Sequence, residues 1–268
     1  MNIRDHKLEG DGVAYKETPN RGGMLEPQYL VFHYTAGSSA QGSIESLCTK
    51  KPTGNASAHL VLARDGSITQ LAPFNVSTWH AGISHWNGLT GMNQYTIGIE
   101  VDNAGKLIQV GEKYRAWFGR EYPEDQVVRA RHKNESETAC WHAFTEEQIK
   151  AALDLSQLLI EKYNLKDILG HEDIAPGRKT DPGPAFPLSN IRSAVFGRSQ
   201  DENEIYKVIA ETLNIRKGPG IEYDTVSPPL LRGTRLVVLE VRERWSRVDV
   251  EGPNDIEGWV NNKFIERV

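Results

Sequence analysis

The stretch Gly170-His171-Glu172-Asp173-Ile174-Ala175-Pro176-Gly177-Arg178-Lys179-Thr180-Asp181-Pro182-Gly183 gathers a His, a Lys and an Asp in a glycine- and proline-broken loop. Far upstream, Leu30-Val31-Phe32-His33-Tyr34-Thr35 carries a second His to the end of an apolar run. Two imidazoles and one carboxylate, remote from each other in sequence, match the ligand set of a catalytic zinc with one open position. The pattern implies a metallohydrolase. Neither His argues for this alone, because a His at a strand end is more often a hydrogen-bonded structural residue. The combination carries the reading. Zinc asks for nitrogen at roughly 2.0–2.1 Å and carboxylate oxygen at roughly 2.0–2.2 Å. Strand ends, and a loop stiffened by Pro176 and Pro182, meet that tolerance better than mobile tails do.

Working outward, Tyr29 to Tyr34 reads as a strand buried on both faces. Residues 38–50 read as a helix with Ile44 and Leu47 inward. Residues 58–63 and 67–71 flank Asp65-Gly66 and read as a hairpin. In Thr96-Ile97-Gly98-Ile99-Glu100-Val101 the three aliphatic residues share one face and Thr96, Gly98 and Glu100 the other. A face with a glycine beside a carboxylate has room for a ligand. Thr145-Glu146-Glu147-Gln148 matches a capping box, and apolar residues at helical spacing predict a helix over 146–163. Residues 168–170 form a short strand that delivers His171. Residues 1–28 read as an extended arm, and 103–143 as a long charged loop or insertion.

After Phe196 the texture changes. Residues 197–204 read as a polar linker. From 205 to 268, short β-rich segments separated by Gly/Pro turns predict a small all-β barrel. The expected organisation is therefore a first domain over 1–196, a linker over 197–204 and a barrel over 205–268.

Net charge is -5, which gives no support to nucleic-acid binding. No apolar run approaches the roughly 18 residues of a membrane span. The polar start of the chain shows no signal peptide, so the expectation is cytoplasmic synthesis, with the cell wall still open as the place of action. Cys48 and Cys140 are not in a C-x-x-C pair and read as two free thiols; a single disulfide stays open on spacing alone.

Around the metal ligands, Glu100 is the candidate general base, against the plain alternative of an edge-strand charge. Lys179, two residues before Asp181, is a candidate for holding the oxyanion that forms on attack, against a solvated loop lysine. Trp79 and His80, in Trp79-His80-Ala81-Gly82, read as groove-lining, with a packed Trp beside a turn glycine nearly as good a description. Arg178 is a candidate contact for acidic substrate groups. His59, His85, His132 and His142 read as structural.

Several blocks resemble the zinc-dependent N-acetylmuramoyl-L-alanine amidases of the type 2 class, which includes muropeptide-recycling amidases, phage lysins and peptidoglycan recognition proteins. They are His33-Tyr34-Thr35-Ala36-Gly37, Ser57-Ala58-His59, Asp65-Gly66, Trp79-His80-Ala81-Gly82, Ile97-Gly98-Ile99-Glu100 and, above all, residues 171–183. The resemblance covers roughly residues 25–195. It implies an α/β domain with a mixed central sheet flanked by helices. It also implies zinc on His33, His171 and Asp181, Glu100 as catalytic carboxylate and Lys179 as transition-state lysine. The implied substrate is peptidoglycan or a muropeptide, cut between N-acetylmuramic acid and L-alanine; separately, a monomer is expected. The 103–140 stretch is longer than in the smallest members, so nothing carries over to it. The tail resembles bacterial SH3-type wall-binding domains through residues 213–219, Trp245 and Gly258-Trp259-Val260. Three other readings remain: peptidoglycan binding without cleavage, a zinc peptidase acting within the stem peptide, and an interaction protein using the barrel alone.

Overall fold

The computed structural model describes residues 1–196, 205–242, 244–251 and 256–268, so the expected linker at 197–204 lies outside the described residues. The chain divides into two compact units, 1–197 and 198–268.

The first unit is built on a six-stranded mixed sheet. Its order is Asp167–Gly170, Tyr29–Tyr34, Thr96–Val101, Leu60–Leu62, Ile68–Gln70 and Val13–Tyr15. The first four strands run parallel, Leu60–Leu62 and Ile68–Gln70 form the expected antiparallel hairpin, and Val13–Tyr15 runs parallel at the edge. The arm predicted over 1–28 is thus partly ordered into the sheet.

The alternation within Tyr29–Tyr34 and Thr96–Val101 decides which side chains meet. Leu30, Phe32, Ile97 and Ile99 enter one core with Leu155 and Leu159 of the helix Glu146–Tyr163 and Ile191 of the helix Leu188–Phe196. All seven are essentially shut from solvent, which removes the apolar area that drives folding. Thr145 caps the long helix as its sequence predicts: its side chain accepts from Gln148 N, and Gln148 Oε1 accepts from Thr145 N. On the opposite face of the sheet, Tyr29 and Val31 pack with Met92, Leu169 and Ile174. The helix Ala40–Leu47, capped by Ser39, packs Ile44 against Val61 and Leu71.

The 103–143 stretch is not a loop. Five strands form a separate sheet in the order Glu121–Tyr122, Lys113–Arg115, Lys106–Val110, Thr138–His142, Val127–Arg131. Leu107, Tyr114 and Tyr122 supply its small core. It is tied to the 171–183 loop at several points. His132 Nε2 lies 2.8 Å from Glu172 Oε2, Lys133 Nζ lies 3.0 Å from Glu172 Oε1, and Trp141 packs against Gly183.

The second unit is a five-stranded antiparallel sheet ordered Glu257–Asn261, Trp245–Val250, Arg235–Arg242, Ile205–Val208, Ile265–Arg267. Val208, Ile215, Leu236, Val248 and Val260 fill its core. Gly258 is required there: a Cβ would lie 2.7 Å from Ile215 and 2.8 Å from the Arg216 carbonyl. Cys48 and Cys140 are both free. Among the described residues, no helix is long and apolar enough to cross a membrane.

Candidate metal centre

Three parallel strands end side by side. Glu100 is the register partner of His33, and Gly170 is the partner of Phe32, so His171 begins where the strand Asp167–Gly170 stops. The carboxyl ends of parallel strands are where open α/β sheets bind their ligands. His33 and His171 therefore converge by topology, and Glu100 joins them on the open face that its alternation predicts.

Asp181 returns to the same point because its loop is pinned. Glu172 N donates to Asp181 O at 2.9 Å, and Gly183 N donates to Glu172 Oε2 at 3.0 Å. Glu172 is itself held by His132 and Lys133 of the inserted sheet. Tyr34 and Thr180 hydroxyls pair at 3.0 Å. No local signal in the sequence marked Glu172, His132 or Lys133 for this task, because the contact spans about 40 residues.

His33 Nδ1, His171 Nδ1 and Asp181 Oδ2 lie 2.9 Å from one another in all three pairings. Among the described residues they form a possible metal site, with all three side chains buried. Tetrahedral zinc with bonds of about 2.05 Å needs donor–donor edges of about 3.3 Å, so an expansion of about 0.4 Å per edge seats the ion.

The protonation pattern also fits a cation. Thr96 Oγ1 donates to Met92 O at 2.7 Å, so it accepts from His80 Nε2, 3.1 Å away. His80 Nδ1 is then an acceptor and takes the proton of His33 Nε2 at 2.9 Å. His171 Nε2 donates to Ala81 O at 3.0 Å. Both Nδ1 atoms are thereby left as bare lone pairs facing the centre, which is how outer partners fix metal-ligating histidines. Burial and the neighbouring His171 lower His33 to about 4, against the pull of Asp181. Burial alone would raise Asp181, but its close contacts with His171 and His33 outweigh it and hold the carboxyl well below its usual range. Neutral imidazoles beside an ionised carboxylate are the state a divalent metal requires.

Glu100 is partly exposed as a residue, yet its Oε2 is closed off from solvent and has no hydrogen-bond partner. Burial, then the charge of Asp181, push it up to about 8, while Lys179 pulls it down. At that value the carboxyl holds its proton at neutral pH, and a cation on the three donors would favour its ionised, base-competent form. Lys179 is half-buried, and its charge acts on both Glu100 and His33.

One expectation is corrected. His80 does not line a groove: it is buried behind His33 and beneath Gly98. Arg178 is exposed, and its Nη2 donates to the carbonyls of Ala81 (2.8 Å) and Ile83 (2.7 Å), so it braces the 81–83 loop. Trp79 stays 39% exposed and available to the surface. His59 is structural as read: Nε2 donates to Val76 O at 2.9 Å and Nδ1 accepts from Gly98 N at 3.0 Å.

The mixed α/β sheet presents a His, His, Asp donor set and a carboxylate at its strand ends, with a lysine from the adjoining loop, which defines a candidate metal centre of an α/β fold. The chain belongs to the type 2 N-acetylmuramoyl-L-alanine amidase family, whose model matches residues 23–184. It is 31% identical over 203 residues to N-acetylmuramoyl-L-alanine amidase AmiD of Escherichia coli (strain K12), covering 74% of this chain and 62% of AmiD. It is 33% identical over 141 residues to 1,6-anhydro-N-acetylmuramyl-L-alanine amidase AmpD of the same strain, covering 52% of this chain and 58% of AmpD. The chain thus spans about six-tenths of the length of these relatives. A crystal structure of a selenomethionine derivative of AmpD shares the fold, with a TM-score of 0.51 and 24% identity over 73% of this chain and 99% of that one.

Proposed function

We propose that this chain is a zinc-dependent amidase that cleaves the bond between the lactyl group of N-acetylmuramic acid and the L-alanine of the stem peptide. What carries the reading is the convergence of His33, His171 and Asp181 beside an unpartnered, buried Glu100 oxygen. The family and its relatives support the same substrate class. Zinc on the three ligands would supply Lewis acidity toward the scissile carbonyl and a more acidic water. Glu100 takes the proton of the attacking water and returns it to the leaving amine. Lys179 offers its ammonium to the oxygen on which charge develops. Arg178 and the 81–83 loop keep His171 in place.

The second unit is, on this reading, an SH3-type wall-binding module. Its five-stranded antiparallel sheet and the Gly258-Trp259 contact with Arg216 support that assignment.

The test is to incubate the zinc-loaded chain with soluble anhydro-muropeptides and, in parallel, with intact sacculi. Mass spectrometry should find free stem peptide with an N-terminal L-alanine, and a chelator should abolish its release. Cuts within the stem peptide, or no product from either substrate, would reject the assignment.

A further inference from the structure

Glu100 and Trp117 both line a depression of about 340 Å3, together with Thr35, Ser38, Ser43 and Ser46. That volume falls within the roughly 300–1,000 Å3 of small-molecule sites. Another depression, at Met1, Asn2, Glu9 and Gly10, gathers no comparable chemistry.

We propose that the depression beside Glu100 receives the muramyl sugar of the substrate and that Trp117 is the platform on which the ring stacks. The proposal rests on the amidase reading. Trp117 is 75% exposed, yet it is fixed: its Nε1 donates to Ala36 O at 2.8 Å and Phe118 meets it edge-on at 5.7 Å. With the one polar atom engaged below, an apolar indole face is held toward solvent at the edge of the site. Aromatic side chains so placed supply large contact area at little conformational cost.

The lining chemistry selects the occupant. Apart from Glu100, no lining residue is ionisable; the walls are hydroxyls, glycines, small apolar groups and one indole. That surface suits a neutral ring with an apolar face and a hydroxyl edge. The stem peptide, on the other side of the scissile bond, carries carboxylates and would call for cations. Arg120 and Lys51 do reach the depression's walls, but they donate to Ser38 O and Ser46 Oγ. Trp117 lies in the turn between the strands Lys113–Arg115 and Glu121–Tyr122, so the insertion would both brace the 171–183 loop and furnish part of the substrate groove.

The experiment measures binding of two fragments to the zinc-loaded chain by ligand-observed NMR: N-acetylmuramic acid capped as its lactyl methylamide, which keeps it neutral as in the substrate, and stem peptide without sugar. Trp117→Ala should weaken sugar binding about tenfold. Trp117→Phe, which keeps the aromatic face but not the N–H anchor, should stay within about threefold. Stem-peptide binding and zinc content should not change in either variant. Unchanged sugar binding in Trp117→Ala, no sugar binding by the parent chain in the millimolar range, or a loss confined to the stem peptide would each overturn the proposal. Failure of the amidase reading shows separately, as absence of turnover in the parent chain.

Discussion

Gly98→Ala is the sharpest probe of how the metal ligands are held. Gly98 lies in the middle of the central strand, where alanine would ordinarily be the better residue. Here an ideal Cβ would lie 2.6 Å from both Cδ2 and Nδ1 of His80. Comfortable carbon contacts begin near 3.5 Å, so ring or strand must retreat by about 1 Å. Overpacking of this kind costs about 1–3 kcal/mol of stability. The larger consequence falls on zinc. A shift of about 1 Å takes His80 Nδ1 out of its 2.9 Å bond with His33 Nε2, and ligand positions tolerate only about 0.2 Å. Loss of an outer partner typically weakens metal binding by about 10–100-fold. Competition for zinc against a calibrated chelator should show that loss, alongside a lowered melting temperature. The double variant Gly98→Ala/His80→Ala removes the overlap and should regain much of the melting temperature while zinc binding stays weak. A zinc affinity within twofold of the parent in Gly98→Ala would refute the claim that His80 orients His33.

Lys179→Ala should lower kcat by about 10²–10³ with zinc content unchanged; loss of zinc would make the lysine structural. Glu100→Gln should retain zinc and lose about 10²–10⁴ in turnover, and near-parental turnover would remove Glu100 from the mechanism. Burial lowers His59 to about 4, against the hydrogen bond to Val76 O, and its Nδ1 already accepts from the Gly98 N–H. Its folded value lies below its unfolded one, so its contribution is complete above about pH 6.5 and is lost as pH falls from there toward 4. Between pH 6.5 and 5 that amounts to about 2 kcal/mol, and urea unfolding of His59→Gln should show a correspondingly smaller drop from pH 7 to pH 5 than the parent; an equal drop would mean that His59 charges freely in the fold. Thr145→Ala should cost about 1 kcal/mol in urea unfolding by removing the cap of the long helix, and an unchanged midpoint would contradict the capping-box geometry.

The parts of the fold legible in the sequence are those whose periodicity is set by two-sided or one-sided burial. Tyr29–Tyr34, Thr96–Val101 and Glu146–Tyr163 carry that signal, and their bounds in the structure match it. The inserted sheet gave no such signal. In Lys106–Val110 only Leu107 is buried, and its partners across the sheet come from strands of two to five residues. The arm behaves the same way: Val13–Tyr15 is too short to alternate visibly and is fixed by pairing with Ile68–Gln70. At the site, the ligand residues were legible because strand ends point where topology sends them. The choice between Trp79 and His80 was not, since it depends on which neighbour finds the hole over Gly98. The bracing role of Arg178 was hidden for a related reason: the carbonyls it binds, Ala81 and Ile83, are brought to it by tertiary structure alone.

X-ray diffraction from crystals of the zinc-loaded chain, recorded on both sides of the zinc absorption edge, bears most directly on the metal centre. One anomalous peak is predicted, about 2.0–2.2 Å from His33 Nδ1, His171 Nδ1 and Asp181 Oδ2, and absent from crystals of Asp181→Ala. A peak held by other side chains, or none in the presence of bound zinc by elemental analysis, would contradict the account.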